Sequence, residues 1–386
     1  MMQNRVFSAL AFAVAIVLLA TAGCTESGVI ANNTGTEPVV TITDSFGRSV
    51  TIPSEISRVV CSGSSCLRYM VYLDAADLLA AANSGVQTNS SSTHDTRPYT
   101  IANPQFADLP NIGSSDSNVN LEQIMVVNPQ VILMLGSLTE NDISGTAAKA
   151  DSMQTRTNIP VIAVASGSFV TDEGRDELYS SFRFMGEVLD REARAEELIA
   201  YIRASLADLE ERTGDIPESE QKIAYIGGLS HSGPHGITST QPSYPPFKWV
   251  HVKNIAGEYD LRYVDFSKES LLYADPEYIF IDAGTLNLVD DIGAFDAIKS
   301  PIFSDLQAVK NGDVYGIMPY NHGGTNLETV LADAYYVGKI VYPERFADID
   351  PKEKADEIYT MFVGKPIFSQ LNANCDNLGF EKVPFE

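Results

Sequence analysis

Hydrophobic residues along the chain form short unbroken apolar runs and longer stretches with helical spacing. Short runs rich in apolar residues predict strands at 58–61, 131–135, 161–164, 222–226, 278–281 and 314–318, and the runs 131–135 and 161–164 are of the buried, non-alternating kind found in parallel sheets. Apolar residues at helical spacing predict helices, at 66–82, 176–189, 191–212, 327–340 and 351–363. Two β-branched runs, 39–43 and 49–52, flank Gly47 and predict a hairpin. The alternation of strand, loop and helix indicates the α/β class.

The helix predicted over 191–212 divides the chain into two similar halves. We expect Asp190 to cap its start, and the segment 213–217, which contains a glycine and a proline, to end it. At 1.5 Å per residue the helix is about 33 Å long, enough to cross from one small domain to another. The sequence therefore predicts two Rossmann-like α/β lobes, 39–190 and 213–386, joined by a single long rigid helix.

One sequence pattern occurs once in each half, at 119–136 and again at 266–284. In both copies a glutamate stands seven residues before a proline: Glu122 before Pro129, and Glu269 before Pro276. In both, a short helical stretch leads through Asn-Pro or Asp-Pro into an apolar run that ends in glycine. The matched spacing indicates a duplicated helix–turn–strand unit, with the two glutamates at equivalent points of the two lobes.

The net negative charge of the chain argues against some classes of binding partner. The 386 residues include 26 Lys and Arg against 51 Asp and Glu, for a net charge of −25. Nucleic acids and anionic lipid surfaces are bound by basic surfaces, so neither is an expected partner. The net charge says less about a small ligand, because a few residues can reverse the field inside a cleft.

The amino-terminal residues have the pattern of an export signal. A basic start precedes the apolar run 9–20, which suits a signal peptide and is short for a membrane-spanning helix. Ala-Gly-Cys at 22–24 resembles a lipobox, although Thr21 stands where Leu is usual. We expect a lipoprotein signal peptide at 1–24, lipid attached to Cys24 and a polar tether at 25–38. An uncleaved signal anchor and a secreted protein without lipid are the alternatives.

Three further cysteines remain after Cys24: Cys61, Cys66 and Cys375. No Cys-x-x-Cys pair occurs among them, which argues against a cysteine-based zinc site. Cys61 and Cys66 are able to bridge only if the loop between them allows it. The expectation is three free, buried cysteines.

Candidate ligand contacts lie in loops that follow the predicted strands, where small molecules bind in α/β proteins. Small hydroxyl residues allow close backbone approach, arginine neutralises an anion, and histidine or tyrosine meets an anion or a bound metal. The predicted ligand-binding residues are Ser64, Ser65, Arg68, Arg97, Tyr99, His231, His235, Tyr320 and His322. Ordinary strand–helix packing for the serines and an ion pair for Arg68 are the alternatives. The spacing of His231 and His235 in a glycine- and proline-rich loop is not that of a zinc site, so no metal site is predicted.

Four segments carry a family resemblance that spans residues 39–370. They are DSFGRSVTIPSEISRVV (44–60), NLEQIMVVNPQVIL (120–133), SKESLLYADPEYIF (267–280) and LADAYYVGKIVYPERF (331–346). Through them the chain resembles the substrate-binding proteins of ABC importers for iron–siderophores, haem and cobalamin, and within these a branch for iron complexes or haem that includes molybdate and tungstate binders. The resemblance implies a helix-bridged fold, a monomer without cofactor, and an extracytoplasmic position.

The same resemblance implies partners and a role for the repeated glutamates. Such proteins deliver a solute to the permease and ATPase subunits of their importer, and Glu122 and Glu269 match the residues that dock one lobe on each permease subunit. Stabilisation of a helix start through the helix dipole is the alternative.

The sequence favours a binding protein over an enzyme. It contains no GxSxG, HExxH, Walker or GxGxxG motif in the required context. The resemblance implies an iron chelate (siderophore or haem) or a corrinoid as the ligand, and Tyr99 and Tyr320 are among the residues that offer aromatic walls for one. A molybdate or tungstate oxyanion is the alternative, since Ser65 and Arg97 offer polar donors, and a chelate-handling enzyme of similar fold is a third reading.

Overall fold

The computed structural model describes residues 38–62, 64–82, 95–115, 118–138, 140–259, 261–289 and 291–385. The predictions for the signal peptide, for Cys24 and for the tether up to residue 37 lie outside the described residues. No helix in the described part of the chain is both long enough and apolar enough to cross a membrane.

Fourteen strands and thirteen α-helices occur in the described residues. The strands are β1 Val39–Thr43, β2 Ser49–Pro53, β3 Val59–Ser62, β4 Leu79–Ala81, β5 Gly113–Ser115, β6 Asn118–Val119, β7 Val131–Gly136, β8 Val161–Ala165, β9 Ile223–Gly227, β10 Ser239–Thr240, β11 Lys253–Asn254, β12 Val264–Asp265, β13 Tyr278–Asp282 and β14 Val314–Ile317. The helices are α1 Ser64–Tyr72, α2 Pro98–Ala102, α3 Leu121–Val127, α4 Glu140–Thr157, α5 Asp172–Leu189, α6 Glu192–Thr213, α7 Pro245–Trp249, α8 Lys268–Ala274, α9 Ala294–Ala297, α10 Gln307–Asn311, α11 Leu327–Val341, α12 Pro351–Val363 and α13 Phe368–Ala373.

Two four-stranded parallel sheets form the centre of the protein. The first has the order β4-β3-β7-β8 and the second the order β11-β9-β13-β14. Strands β3 and β8 are buried along their whole length, which explains their unbroken apolar sequences. Strands β1 and β2 form the predicted antiparallel hairpin. The predicted α/β class with parallel sheets is confirmed.

The duplicated sequence pattern is a duplicated structural unit. Strands β7 and β13 occupy the same third place in their sheets, and each is preceded by a seven-residue helix, α3 or α8. Both helices have a side-chain cap: Asn120 accepts the backbone N–H of Gln123, and Ser267 accepts that of Ser270. Both end on a left-handed residue just before the proline.

The long helix α6 has 22 residues and contacts both halves of the chain. Near its start the Arg194 Nε donates to the carbonyl of Tyr72 at 2.9 Å. Near its end the Arg212 guanidinium binds both carboxylate oxygens of Asp348, at 2.7 and 2.8 Å. The helix over 191–212 is therefore confirmed, whereas the boundaries of the lobes stay a prediction.

The predicted role of Asp190 is wrong. Asp190 adopts a left-handed conformation, with φ of 57°, and its backbone N–H bonds the Gly186 carbonyl, so it ends α5. Arg191 occupies the capping position of α6 and forms no side-chain cap there. A short polar residue tolerates the left-handed conformation, which is why it occurs at this helix end.

The helix predicted over 66–82 is half as long as expected. Helix α1 ends at Tyr72, and Asp74 is left-handed with φ of 52°. A short 3-10 turn, Ala76–Leu78, then leads into β4, which pairs with β3 at the edge of the first sheet. The run of leucine and alanine fits a strand as well as a helix, so periodicity alone does not separate the two.

The expectation of three free cysteines is wrong for two of them. Cys61, in β3, and Cys66, in the first turn of α1, form a disulfide with their Cα atoms 5.5 Å apart. The sharp strand-to-helix turn brings their side chains together, which was the condition that the sequence left open. Cys375 is free and buried, as expected.

The carboxy-terminal helices return to the first half of the chain. Helix α12 packs against α1 and α2, and α13 packs against α2. The Asn374 side chain donates to the carbonyl of Asp95 at 2.6 Å, and the Lys365 ammonium donates to the carbonyl of Ala102. The two halves are thus held together by this segment as well as by α6.

Candidate ligand-binding site

A cavity of about 220 Å³ lies between loops from the two halves of the chain. One wall is formed by the start of α1 and by the loop after β8. The opposite wall is formed by residues near Gln241 and Tyr263, by the loop after β14 and by the start of α11. Because three of the contributing segments follow the parallel strands β3, β8 and β14, the cavity lies where ligands bind in open α/β sheets.

Three predicted residues line this cavity: Ser65, Arg68 and Tyr320. Arg68 is only 4% exposed, and its Nη1 donates to the carbonyl of Gly323 at 3.2 Å. It forms no ion pair with a carboxylate of the described residues, in contrast to the ion-pair alternative. The Tyr320 hydroxyl donates to the Gln241 side chain, which orients both groups at the wall.

The first wall contains a loop that the sequence analysis missed. Ser166, Gly167 and Ser168 follow β8 and line the cavity. Gly167 has a φ of 60°, and a side chain there would meet the Leu178 backbone at 2.4 Å, so only glycine fits. The signal for this loop was present, since Ser-Gly-Ser follows β8 just as Ser-Gly-Ser begins at Ser62 in β3.

The second wall contains another missed pair, Arg262 and Tyr263. The Arg262 guanidinium lies over the Tyr263 ring, 5.3 Å from its centroid. The Tyr263 hydroxyl accepts a hydrogen bond from the Asn321 side chain at 3.1 Å. No strand pattern or motif precedes this segment, so the sequence offered no signal for it.

The charge of the cavity is opposite to that of the protein. Arg68 and Arg262 line it, and no Asp or Glu among the described residues does so. In a chain with 51 acidic residues, a cavity lined by arginine and by no carboxylate of the described residues indicates a preference for negatively charged ligands. Serine, threonine and tyrosine hydroxyls supply further donors, so the cavity is suited to an anion.

Two glycines of the loop after β14 fix the contact between the walls. Gly323 and Gly324 have φ of 66° and 96°, in the left-handed region that favours glycine. A Cβ atom on Gly324 would lie 3.0 Å from both the Arg68 Nη1 and the Ser65 Oγ. The missing side chain therefore leaves the space that Arg68 occupies.

Arg97, Tyr99 and His322 lie outside the cavity, in a cluster of their own. The Arg97 Nε and Nη2 bind the two carboxylate oxygens of Asp95, at 2.8 and 2.7 Å. Burial opposes ionisation of Asp95, but the hydrogen bonds from Arg97 outweigh it and hold the pKa of Asp95 below its usual value. Burial and the Arg97 charge lower the pKa of His322, whose Nδ1 lies 3.0 Å from the Thr96 hydroxyl.

His231 and His235 also lie outside the cavity but adjoin its wall. Their rings stack with centroids 4.1 Å apart, and His231 stacks on Tyr263 at 4.4 Å. Burial, His235 and Arg262 lower the pKa of His231. Ser64 is the first residue of α1. The ligand roles of these residues stay predictions.

Behind the cavity lies a carboxylate that the sequence analysis did not select. Glu328, the second residue of α11, is fully buried, and its neighbour Leu327 lines the cavity. One oxygen accepts a hydrogen bond from the Tyr72 hydroxyl. Burial raises the pKa of Glu328 to about 7, although Tyr72 and Arg68 favour the ionised form.

Glu122 and Glu269 occupy equivalent exposed positions near the starts of α3 and α8. Neither lines the cavity. The residue four positions later is an exposed apolar side chain in both helices: Val126 is 76% and Tyr273 is 93% exposed. Residues four apart share a helix face, so each glutamate stands beside an apolar residue on the surface.

Comparisons with known proteins identify the kind of protein that has this architecture. The model of a periplasmic binding protein family matches residues 70–320. The molybdate-binding protein MolA of Haemophilus influenzae is 23% identical over 83% of this chain and 90% of its own length. Its structure with bound molybdate has a TM-score of 0.62 and 20% identity, and covers 85% of this chain and 98% of that one.

Two relatives from Bacillus subtilis were also found. The ABC transporter substrate-binding lipoprotein YvrC is 23% identical over 80% of this chain and 87% of its own length. The Fe(3+)-citrate-binding protein YfmC is 26% identical over 52% of this chain and 56% of its own length. These matches are binding proteins and not enzymes, in agreement with the prediction from the sequence.

Proposed function

The chain belongs to the periplasmic binding protein family and is a substrate-binding protein of an ABC transporter, and from that premise we propose that its ligand is a small oxyanion of the molybdate or tungstate type. The observation that carries this proposal is the charge of the cavity. Arg68 and Arg262 line it, and carboxylates are absent among its described lining residues. Arg68 is buried and donates to the Gly323 carbonyl, so it binds an anion with little reorganisation, and the exposed Arg262 adds a second positive charge.

The size of the cavity supports a small ligand over a bulky chelate. Its volume of about 220 Å³ is below the 300–1,000 Å³ or so of pockets that enclose drug-sized molecules. Haem, corrinoids and siderophores are larger than a tetrahedral oxyanion and need a broader cleft. Tyr320 was expected to form an aromatic wall, but its hydroxyl donates a hydrogen bond to the Gln241 side chain, so this residue gives the wall a polar group as well as a ring. The relationship to MolA, whose ligand is molybdate, agrees with this choice.

The iron chelate expected from the sequence is the competing ligand. Its support is the relative YfmC, which binds Fe(3+)-citrate. Within the described residues, no group of three or more His, Cys, Asp or Glu side chains is placed to hold a metal ion. An iron ligand would therefore enter with its own chelator, and such a complex is itself anionic when the chelator is citrate.

Calorimetric titration of the chain from Thr25 onward separates these ligands. We expect molybdate or tungstate to bind, and Arg68→Gln to weaken that binding by about ten- to a hundredfold, since a hydrogen bond to a charged group contributes about 1.5–3 kcal/mol. Arg183→Gln is the matched control, because Arg183 forms a surface ion pair with Glu196. Binding of ferric citrate or haem without binding of either oxyanion would overturn the proposal and favour the chelate.

Delivery to the transporter is proposed to use the two equivalent glutamates. Glu122 and Glu269 are exposed, lie outside the cavity and repeat at corresponding points of the two halves. Two such points suit a permease built from two similar subunits, with one arginine pocket for each glutamate. Because each cavity wall comes from a different half, docking on both halves would report whether the cavity is closed.

Membership of the periplasmic binding protein family places the protein on the extracytoplasmic side of the membrane. We propose that it is attached there through lipid on Cys24. The support is the Ala-Gly-Cys sequence after an apolar run. The relative YvrC is a lipoprotein. Mass spectrometry of the amino-terminal peptide from the membrane fraction tests this, and an unmodified or uncleaved Cys24 would refute it.

A further inference from the structure

Glu328 and Arg68 are two buried groups of opposite charge next to the cavity: Arg68 lines it, and Glu328 follows Leu327, which also lines it. Glu328 is fully buried, and its Oε2 accepts the Tyr72 hydroxyl, which itself accepts the Leu327 backbone N–H at 3.2 Å. Among the described residues, the Glu328 Oε1 and the Arg68 Nε have no hydrogen-bond partner. Arg68 and Leu327, the residue before Glu328, both line the cavity. A bound anion would therefore share the Arg68 charge with Glu328.

The groups that face Glu328 come from three helices. Helix α1 supplies Arg68 and Tyr72, both of which favour its ionised form. Helix α12 supplies Tyr359, which is buried and neutral because its pKa is raised by burial. On α11 itself the next acidic residue is Asp333, which is also fully buried. Arg68 is thus the positive charge on which the ionised form of Glu328 depends.

An anion that enters the cavity changes this balance. Burial already disfavours the carboxylate and raises the pKa of Glu328 to about 7. A second negative charge beside Arg68 repels the carboxylate where water screens little. Protonation of Oε1 removes that repulsion and keeps the hydrogen bond from Tyr72 to Oε2. The proton comes from solvent, and the carboxylate becomes a carboxylic acid.

We propose that Glu328 determines the affinity of the site by taking up a proton when an anion binds beside Arg68, so that the protein binds the anion and the proton together. This inference rests on the proposed function only in taking the ligand to be an anion. Glu328 is a positioning residue in this scheme, since it acts on the ligand through Arg68.

The direction of the pH dependence follows from the pKa of Glu328. Well below pH 7 the free protein already holds the proton, so binding takes up none. Above pH 7 Glu328 is ionised in the free protein, so anion binding must be accompanied by uptake of a proton. This holds up to the higher pKa that Glu328 has in the complex. Affinity should therefore fall as the pH rises above 7, by up to about tenfold per pH unit within this window.

Calorimetric titration with tungstate tests the coupling, because tungstate stays fully ionised in neutral and alkaline buffers. Titrations at pH 7.5 and above, in two buffers with different ionisation enthalpies, measure the protons taken up per anion. We expect uptake by the wild-type protein and none by Glu328→Gln, whose affinity should not fall between pH 7 and 8.5. Glu187→Gln, at an exposed position on α5, is the matched control and should behave as wild type.

A second variant keeps the test informative if Glu328→Gln does not fold. Tyr72→Phe removes the hydroxyl that stabilises the ionised form, so the affinity should begin to fall at a higher pH than in the wild type. A purely structural role of Tyr72 would lower affinity without moving that pH.

Three results would count against the inference in different ways. Failure of tungstate and molybdate to bind at any pH overturns the proposed function and this coupling with it. Binding of tungstate without proton uptake overturns the coupling alone. Proton uptake that persists in Glu328→Gln assigns the proton to another group and overturns the role of Glu328.

Discussion

The disulfide between Cys61 and Cys66 encloses the residues that lead into the ligand site. Ser62 to Ser65 lie between the two cysteines, and both Ser65, the last residue of this loop, and Arg68, just after it, line the cavity. A bond that joins the end of a strand to the first turn of a helix restricts this loop in the folded protein as well as in the unfolded chain. The disulfide should therefore affect both stability and ligand affinity.

Removal of this disulfide should lower stability moderately. A loop this short corresponds to about 2 kcal/mol of chain entropy, so Cys61→Ala with Cys66→Ala should reduce the free energy of unfolding by roughly that amount. Urea unfolding measures the change, and oxyanion affinity should also decrease because Arg68 is less well held.

The thiol count of the chain from Thr25 onward provides an independent check. In denaturant without reductant we expect a single reactive thiol, that of Cys375. Three thiols under these conditions would restore the expectation from the sequence. Cys375→Ala is the control variant, and it should leave no reactive thiol before reduction.

Single residues of the site were predictable only where a strand pattern preceded them. Ser65 and Arg68 follow the apolar run of β3, and Tyr320 follows that of β14. Arg262 and Tyr263 follow no such run, and Glu328 lies inside a helix whose sequence shows only amphipathic spacing. Arg97 was selected for its charge, but its pairing with Asp95 depends on a tertiary arrangement that residue type does not reveal.

At the scale of elements, the two helix–turn–strand units are the feature that the sequence predicted best. Their spacing is set locally, by a side-chain cap, a left-handed residue and a proline, so it is visible in a single chain. By contrast, β4 depends on pairing with β3, and its apolar sequence alone is equally consistent with a helix.

The glutamates of these units should affect transport and not ligand binding. Glu122→Lys and Glu269→Lys should leave oxyanion affinity unchanged, because neither residue lines the cavity. Uptake through the cognate importer should fall, and more steeply for Lys than for Ala, since Lys would face an arginine pocket with like charge. Uptake in reconstituted vesicles that contain the importer measures this effect.

The alternative role of each glutamate predicts a different outcome. A glutamate that only supports a helix start contributes about half a kcal/mol, so its removal would lower the melting temperature slightly and leave transport intact. Lys268→Ala, one position before Glu269 and also exposed, is the matched control. Normal uptake by the double variant at both glutamates would end the docking proposal.

At the scale of the whole molecule, several contacts join the two halves besides α6. Arg68 binds the Gly323 carbonyl, Tyr72 binds Glu328, and Asn374 binds the Asp95 carbonyl. The first two contacts lie at or beside the cavity and the third lies outside it, so a wide opening that separated the two halves would break all three together. A continuous helix also bends less readily than paired loop hinges.

Ligand binding should therefore change the overall dimensions very little. In small-angle X-ray scattering we expect the radius of gyration, roughly 20 Å for a compact chain of this size, to change by no more than about a twentieth on addition of tungstate. Gly324→Ala is a useful comparison, because its side chain would press on Arg68 and Ser65 and should favour a more open form. A large decrease in the wild-type radius would contradict a rigid connection.

The carboxy-terminal helices have a consequence for the order in which the protein is completed. Helices α12 and α13 cover α1 and α2, from which they are separated by most of the chain. A polypeptide that emerges from its amino terminus exposes the apolar faces of α1 and α2 until its last segment arrives. The first half of the chain therefore cannot complete its packing until the carboxy-terminal helices have been made. The cavity, which needs loops from both halves, is among the last features to form. During export this interval is when the chain is most open to proteases and to chaperones that hold unfinished proteins.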